Sequence, residues 1–430
     1  MKVFKFGGPS IVGIDRIKNV AHILQQNNNQ PLMVIISAMG KTTNALEKIT
    51  DAFFEGRNEE ALQLFGLLKK QHLTTAKYLL VKSFNSCIEQ LNDFFTEAEW
   101  LLHDTPVREY DYYYDQLVCI GELLSTAIVS HYLNEEGILN EWIDARDIVR
   151  TDNHFHEANV DFTITNEKMQ QLVVPALGKQ YINDKQQPVY GICITQGFIG
   201  ATDENECTTL GREGSDYTAA IFTNLLNAES LTIWKDVEGI MNADPKQFAQ
   251  AELIPELNYE EVIEMAYYGA QVVHPKTIKP LQNKEIPLYV RPFTNLVSTG
   301  TIIHKKRIKN LPPIIVYKEN QVLLHLLSKD FSFVEEKPIA RLYELLNQLN
   351  IKPNLVQTDA VRVLICLDDN EYKIGRLAEK ANDLFDVQVE KGLTLLTLRH
   401  YNEAIYTSLI QGKEPVLLQS TETTVQALYK

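Results

Sequence analysis

A chain of 430 residues exceeds what one hydrophobic core organises, so two or three domains are expected. Apolar and charged fractions of 45% and 23% are those of an ordinary soluble globular protein. A net charge of −15 argues against a nucleic-acid partner unless a local basic patch overrides the total. No apolar run approaches the ~20 residues that span a bilayer, and Lys5, Gly7 and Gly8 interrupt the first apolar stretch where a signal peptide would need continuity. A cytoplasmic protein without membrane contact is expected. Its five cysteines, Cys87, Cys119, Cys193, Cys207 and Cys366, stand singly, which predicts buried free thiols in place of a disulfide framework or structural zinc site.

In chain order, Val3, Phe4 and Phe6 read as a short buried strand that ends in Gly7-Gly8. Such a turn is either an ordinary tight turn or an anion site in which backbone N–H groups approach a phosphate, with Lys5 adding a point charge. Neither GxxxxGK[ST] nor GxGxxG is present here. Leu32 to Ser37 forms a second continuous apolar strand, followed by the small polar loop Ala38 to Asn44. Residues 45–136 read as mostly helical, with apolar spacings of three and four over Glu59–Leu80 and Gln116–Tyr132. Strands return at Gly191–Thr195, Ser230–Trp234 and Leu288–Val290, with a helix Ser215–Leu226 between the first two. Repeated strand–loop–helix junctions give an α/β sheet whose loops form a ligand-binding rim.

Near Leu311-Pro312-Pro313 the character changes, and a domain boundary is placed there. Short strands (Ile314–Tyr317, Val322–Leu327, Val361–Leu367) then alternate with helices (Pro338–Leu349, Glu371–Leu384). The order from Val322 to Val389 fits a ferredoxin-like unit. After Lys391 a second, abbreviated unit follows, with strand Leu393–Leu398, helix Asn402–Ile410 and strands near Val416 and Val425. It ends at Lys430 without room for a closing helix.

Three segments carry the candidate chemistry. Thr208 to Thr218 (TTLGREGSDYT) is the densest polar stretch; Ser215 and Asp216 can cap the following helix, or Gly211, Arg212 and Gly214 can bring a guanidinium and a helix N-terminus to a carboxylate. Trp234 to Lys246 follows a central strand and is either solvated surface or a nucleotide loop. Glu122, in the apolar helix around Gly121–Ser125, is either a surface residue or a carboxylate aimed into a site.

Taken together, KFGG (Lys5–Gly8), SAMGKTTN (Ser37–Asn44), GELLST (Gly121–Thr126), ARDIVRT (Ala145–Thr151), ITQGFIG (Ile194–Gly200), TTLGREGSDYTAA (Thr208–Ala220), WKDVEGIMNADPK (Trp234–Lys246) and MAYYGAQVVHPKT (Met265–Thr277) resemble the aspartate kinases in order and spacing. The resemblance covers roughly residues 1–305, and the chain beyond the Pro-Pro break resembles that family's paired ACT regulatory domains. It implies an amino-acid-kinase fold, a three-layer αβα sheet domain over 1–305, followed by ferredoxin-like ACT units over 314–390 and 391–430.

The activity so implied is transfer of the γ-phosphoryl of ATP to the side-chain carboxylate of L-aspartate, giving 4-phospho-L-aspartate at the start of lysine, threonine and methionine biosynthesis. By the same resemblance Lys5 lies against the transferring phosphoryl group and Asp216 orients it. Thr43, Glu122, Phe198, Arg212 and Ser215 surround aspartate, with Arg212 on its α-carboxylate and Glu122 on its ammonium group. Lys5, Phe6, Gly7, Gly8, Lys235, Asp236, Met241, Lys246 and Gln271 meet ATP. Mg²⁺ is expected on the phosphates, with no protein metal site. A homodimer through the ACT units and a lysine or threonine effector near Ser328–Phe331 and Gln357–Ala360 are also implied.

The chain departs from the family pattern at four places. Pro9 follows Gly-Gly and offers no N–H; Glu213 stands where relatives often have glycine; Gln271 stands where many carry a phosphate-contacting lysine, whose charge Lys235 or Lys276 would have to replace; and Asp359 stands where serine is common. The alternatives are another kinase of the same superfold, such as an acetylglutamate or glutamate 5-kinase, and a catalytically silent amino-acid sensor.

Overall fold

The apolar runs read from the sequence as strands lie side by side in one sheet. Lys2–Phe6 sits between Leu32–Ile36 and Leu231–Lys235 and runs parallel to both, while Ile192–Gln196 pairs in parallel with Leu32–Ile36. Continuous apolar sequence without polar alternation is what a strand buried on both faces requires. The structure, a computed structural model, describes residues 1–182, 188–270, 272–329, 333–334 and 336–430. It divides into two compact units, the first comprising Met1–Ile240, Leu253–Ile263 and Val273–Ile308, the second Met241–Glu252, Glu264–Val272 and Lys309–Lys430.

In the first unit the sheet has eight strands, in the order Glu256–Asn258, Thr301–His304, Leu288–Pro292, Leu231–Lys235, Lys2–Phe6, Leu32–Ile36, Ile192–Gln196 and Asn140–Trp142. Only Leu288–Pro292 and Thr301–His304 pair antiparallel. Side chains alternate across the pleat, so Phe4, Phe6, Leu32, Val34 and Ile36 join one core with the helices Thr42–Phe54, Asn58–Leu79, Phe84–Leu102 and Tyr110–Glu135. Val3, Lys5, Met33 and Ile35 point to the opposite face. The helix Gly214–Leu225 packs against the three central strands. The helix Tyr110–Glu135 is long and apolar enough to cross a membrane, which the sequence reading did not anticipate, but 89% of its apolar window is buried within the protein.

In the second unit one six-stranded sheet contains both expected ferredoxin-like patterns, because two of its strands are long. Ile314–Ser328 and Phe385–Arg399 each run 15 residues and pair antiparallel along their length. The sequence Lys318-Glu319-Asn320 reads as a break between two strands; it is a bulge within one, with Asn320 at φ 53°. Val322–Ser328 forms one half with Leu355–Thr358, Arg362–Asp368 and Phe385–Glu390, in the ferredoxin-like order second, third, first, fourth. The helices Glu336–Gln348 and Glu371–Ala381 cover it through Leu342, Leu345, Leu346, Ile374 and Leu377. Ile314–Lys318 pairs with Leu395–Arg399 and so belongs with the last strands, Pro415–Ser420 and Thr424–Tyr429, although the sequence reading placed it in the preceding unit.

The two edges of this sheet meet, Gln419 Nε2 donating to the Val356 carbonyl at 2.6 Å, and the curl encloses Leu323, Leu355, Leu364, Cys366, Leu393, Leu395, Leu417 and Leu428. Two earlier segments pack with it. Asn242 is bonded to the backbone of Pro313 and Ile315, Phe248 stacks on Tyr317 at 5.5 Å, and Glu264 pairs with Arg399 at 3.0 Å. Asp359 is held by Arg362 at 2.9 and 3.2 Å, which keeps its carboxyl below the usual carboxylate range. Asp330 and Phe331 lie outside the described residues.

Candidate active site

The central parallel strands of the first unit end in register, Phe6 beside Ile36 and Trp234, and Ile36 beside Gln196. Their following loops therefore converge at one edge of the sheet, where ligands of open α/β sheets bind. A cleft of about 610 Å³ lies there. It is lined by Lys5, Gly7, Gly8, Thr43, Glu122, Phe198, Arg212, Ser215, Asp216, Lys235 and Asp236, eleven residues drawn from six separated segments of chain.

Lys5 points to the face covered by the helix Gly214–Leu225, whose first turn carries Asp216. Their side chains meet at 2.6 Å, almost fully buried, and Lys235 lies 3.9 Å from the other carboxylate oxygen. Burial opposes ionisation of Asp216, but the two ammonium groups outweigh it and hold its carboxyl below the ordinary range. The result is a fixed pair of positive charges at the floor of the cleft.

Gly8 is needed for close approach. A β-carbon there would stand 2.8 Å from the Ala38 carbonyl and 2.9 Å from that of Gly40, whose N–H bonds Gly8. Pro9 is the second residue of a 3-10 turn, Gly8–Ile11, at a position where a backbone N–H would have no partner in the turn. The departure from the family pattern is thereby accommodated in the local fold. Glu213 has φ 54°, a conformation natural to glycine, and its Oε2 accepts the N–H of His274 at 3.0 Å.

Phe198 is held in the left-handed region at φ 75° by bonds from its N–H to Thr218 Oγ1 (3.0 Å) and to its carbonyl from Leu210 N–H (2.9 Å). Gly214 leaves room for it, since a β-carbon there would come within 2.6 Å of the Phe198 ring. Glu122 is fully buried, and its Oε2 has no hydrogen-bond partner. Burial pushes its carboxyl up to about 8, against the opposing influence of Lys5 and the Ala38 N–H. Arg212 is exposed at the rim and has no ion pair among the described residues. One cleft thus holds an unanswered acid and an unanswered guanidinium together with Lys5 and Lys235.

The lining does not include the other expected nucleotide residues Phe6, Met241 and Lys246. The Phe6 side chain is fully buried, stacked on Trp234 at 6.1 Å, so only its backbone reaches the strand end. Met241 and Lys246 fall in the second unit. Gln271 lies outside the described residues. Of the two lysines considered as replacements for its missing charge, Lys235 lines the cleft and Lys276 is paired with Glu157. The sequence reading missed Glu47, Tyr114 and His156, which also line the cleft. No motif marks them; tertiary packing alone brings them in.

The amino acid kinase family matches residues 1–292. The chain is 30% identical to the lysine-sensitive aspartokinase 3 of Escherichia coli (strain K12), a match covering 92% of this chain and 86% of that protein. It is also 30% identical to the chloroplastic aspartokinase 1 of Arabidopsis thaliana, over 99% of this chain and 74% of that one. The solved structure of E. coli aspartokinase III in complex with aspartate and ADP (R-state) covers 100% of this chain, with 96% of its own chain aligned, a TM-score of 0.80 and 27% identity. The expected kinase fold followed by ferredoxin-like units is the fold found. With its sheet, its cleft and these relatives in agreement, the chain belongs to the amino acid kinase family and, within it, to the aspartokinases.

Proposed function

We propose that this chain transfers the γ-phosphoryl group of ATP to the side-chain carboxylate of L-aspartate. The observation that carries the reading is the pairing of Glu122, buried with an unpartnered oxygen, with the unpaired Arg212 in one cleft with the Lys5–Asp216–Lys235 cluster. An α-amino acid bears one ammonium group and one carboxylate at fixed separation, and these two residues answer both. Thr43, Phe198 and Ser215 complete the wall around it.

The acceptor is already an anion, so no general base is required and the protein's work is positioning and neutralisation of charge. Lys5, oriented by Asp216, meets the phosphoryl group as negative charge redistributes, and Lys235 supports it. Gly7 and Gly8 present backbone to the phosphates, with Asp236 at the rim and Met241, Lys246, Phe6 and Gln271 carried over from the resemblance. Mg²⁺ would arrive with the nucleotide, held by substrate oxygens and water, and neutralise phosphate charge.

The same reading assigns residues 1–305 to catalysis and the C-terminal sheet to two ACT-like regulatory units, the second taking Ile314–Lys318 as a strand. It further includes a homodimer through that sheet and an effector such as lysine, to which the E. coli relative is sensitive by name. Five buried free cysteines accord with a reducing, cytoplasmic setting. A coupled ADP-release assay with aspartate, glutamate and N-acetylglutamate tests the central assignment. Turnover with aspartate alone supports it, and turnover with another acceptor or none contradicts it.

A further inference from the structure

Asp115 lies seven residues before Glu122 on the helix Tyr110–Glu135, two turns away on the same side. It is fully buried and has no part in the mechanism above. Its carboxylate ties three segments of chain together. Oδ2 accepts the N–H groups of His156 at 2.9 Å and Thr209 at 2.8 Å, and Oδ1 accepts the Thr209 hydroxyl at 2.6 Å. Thr209 ends the strand Cys207–Thr209, and three residues later the chain reaches Arg212. His156, at φ 72°, stacks its ring on Tyr114 with centroids 4.2 Å apart, and both rings line the cleft.

The carboxylate is the partner of all three donors, and a side chain without an acceptor at that position would leave two buried N–H groups without theirs. The arrangement is expensive in stability. A buried carboxylate is unfavourable, and burial lifts this one to about 6 in spite of its donors. The left-handed conformation of His156 adds a further cost. Two unfavourable features at one junction beside a substrate cleft point to a functional return.

Resting on the reading of Glu122 and Arg212 as the grip on an amino acid, we propose that Asp115 is a positioning residue for the acceptor end of the cleft. Through Thr209 it fixes the strand that delivers Arg212 relative to the helix that carries Glu122, and through His156 it fixes the Tyr114–His156 wall. It governs affinity for aspartate and leaves the nucleotide side alone.

The test measures KM for aspartate and for ATP in Asp115→Ala and Thr209→Val, with Arg212→Lys in the same assay. Asp115→Ala, which removes the acceptor, should raise KM for aspartate by about tenfold or more while KM for ATP stays within about twofold. Thr209→Val, which removes one of the three donors and keeps the backbone N–H, should raise KM for aspartate by about threefold. A folded Asp115→Ala protein with unchanged KM for aspartate, or with both KM values raised equally, overturns the proposal. Where Asp115→Ala does not fold, an unchanged KM for aspartate in Thr209→Val overturns it. If Arg212→Lys also leaves KM for aspartate unmoved, the reading of the cleft fails; if Arg212→Lys raises it and the Asp115 variant does not, only the positioning role fails.

Discussion

The cleft and the C-terminal sheet each hold a buried polar side chain, Glu122 in the first and Gln321 in the second, yet they leave the two in opposite conditions. In the sheet, Lys318 donates to Asn354 (2.7 Å), Asn354 to Gln321 (2.7 Å) and Asp368 (2.8 Å), and Gln321 to Asp368 (2.9 Å). Asp359, a surface counterpart, is closed by Arg362. In the cleft, Glu122 keeps an unpartnered buried oxygen, and the exposed Arg212 has no counter-ion among the described residues. A closed network rigidifies a fold, whereas an open one costs stability until a ligand completes it. The difference separates polar groups kept for structure from those kept for binding.

Substitutions should therefore separate as well. The largest effect is expected at Lys5: Lys5→Ala should lower kcat by about 10² or more while aspartate still binds, because its charge is needed most as phosphoryl charge redistributes. A steady-state assay beside calorimetric binding of aspartate checks this, and a kcat within about threefold of the parent removes Lys5 from the mechanism. Next, Arg212→Lys should raise KM for aspartate by about tenfold and KM for ATP far less, since an ammonium group cannot reproduce a guanidinium fork on a carboxylate. Equal changes would point to a nucleotide role or a folding defect.

The pH dependence sharpens the comparison. With its carboxyl near 8, Glu122 is protonated at neutral pH in the free enzyme, and an ammonium group can pair only with the ionised form. Apparent affinity for aspartate should rise with pH by up to about tenfold per unit and level off above 8. Glu122→Gln should abolish the slope. By the same sign, a carboxyl raised on folding contributes stability at low pH that is lost as pH rises through 8, so the ligand-free protein should melt lower there. The smallest expected effect belongs to the sheet: Gln321→Ala, opening its closed network, should reduce stability by about 1–3 kcal/mol in thermal or denaturant unfolding with kcat unchanged.

Much of the catalytic half was legible because its chemistry sits where local sequence changes abruptly, at strand ends. A run such as Leu32–Ile36 announces a strand buried on both faces, and the glycines and polar residues after it announce a rim. Asp115 and His156 escaped for the opposite reason. Nothing local distinguishes a buried carboxylate in an apolar helix from a satisfied one until the partners, more than forty residues distant, are in place. The strands Asn140–Trp142, Glu256–Asn258 and Thr301–His304 are three or four residues long, too short for a period to declare itself. In the C-terminal sheet the strand and helix order was readable, but Lys318-Glu319-Asn320 looked like a break because a bulge and a turn use the same residues.

The central claim is that Glu122 and Arg212 await a zwitterion. Titrating the protein with aspartate calorimetrically at pH 7, in buffers of different ionisation enthalpy, reads the protons exchanged on binding. The account predicts release of close to one proton per aspartate, none in Glu122→Gln, and none with succinate, which lacks the ammonium group. Binding of aspartate without proton release, or release that persists in Glu122→Gln, would contradict it.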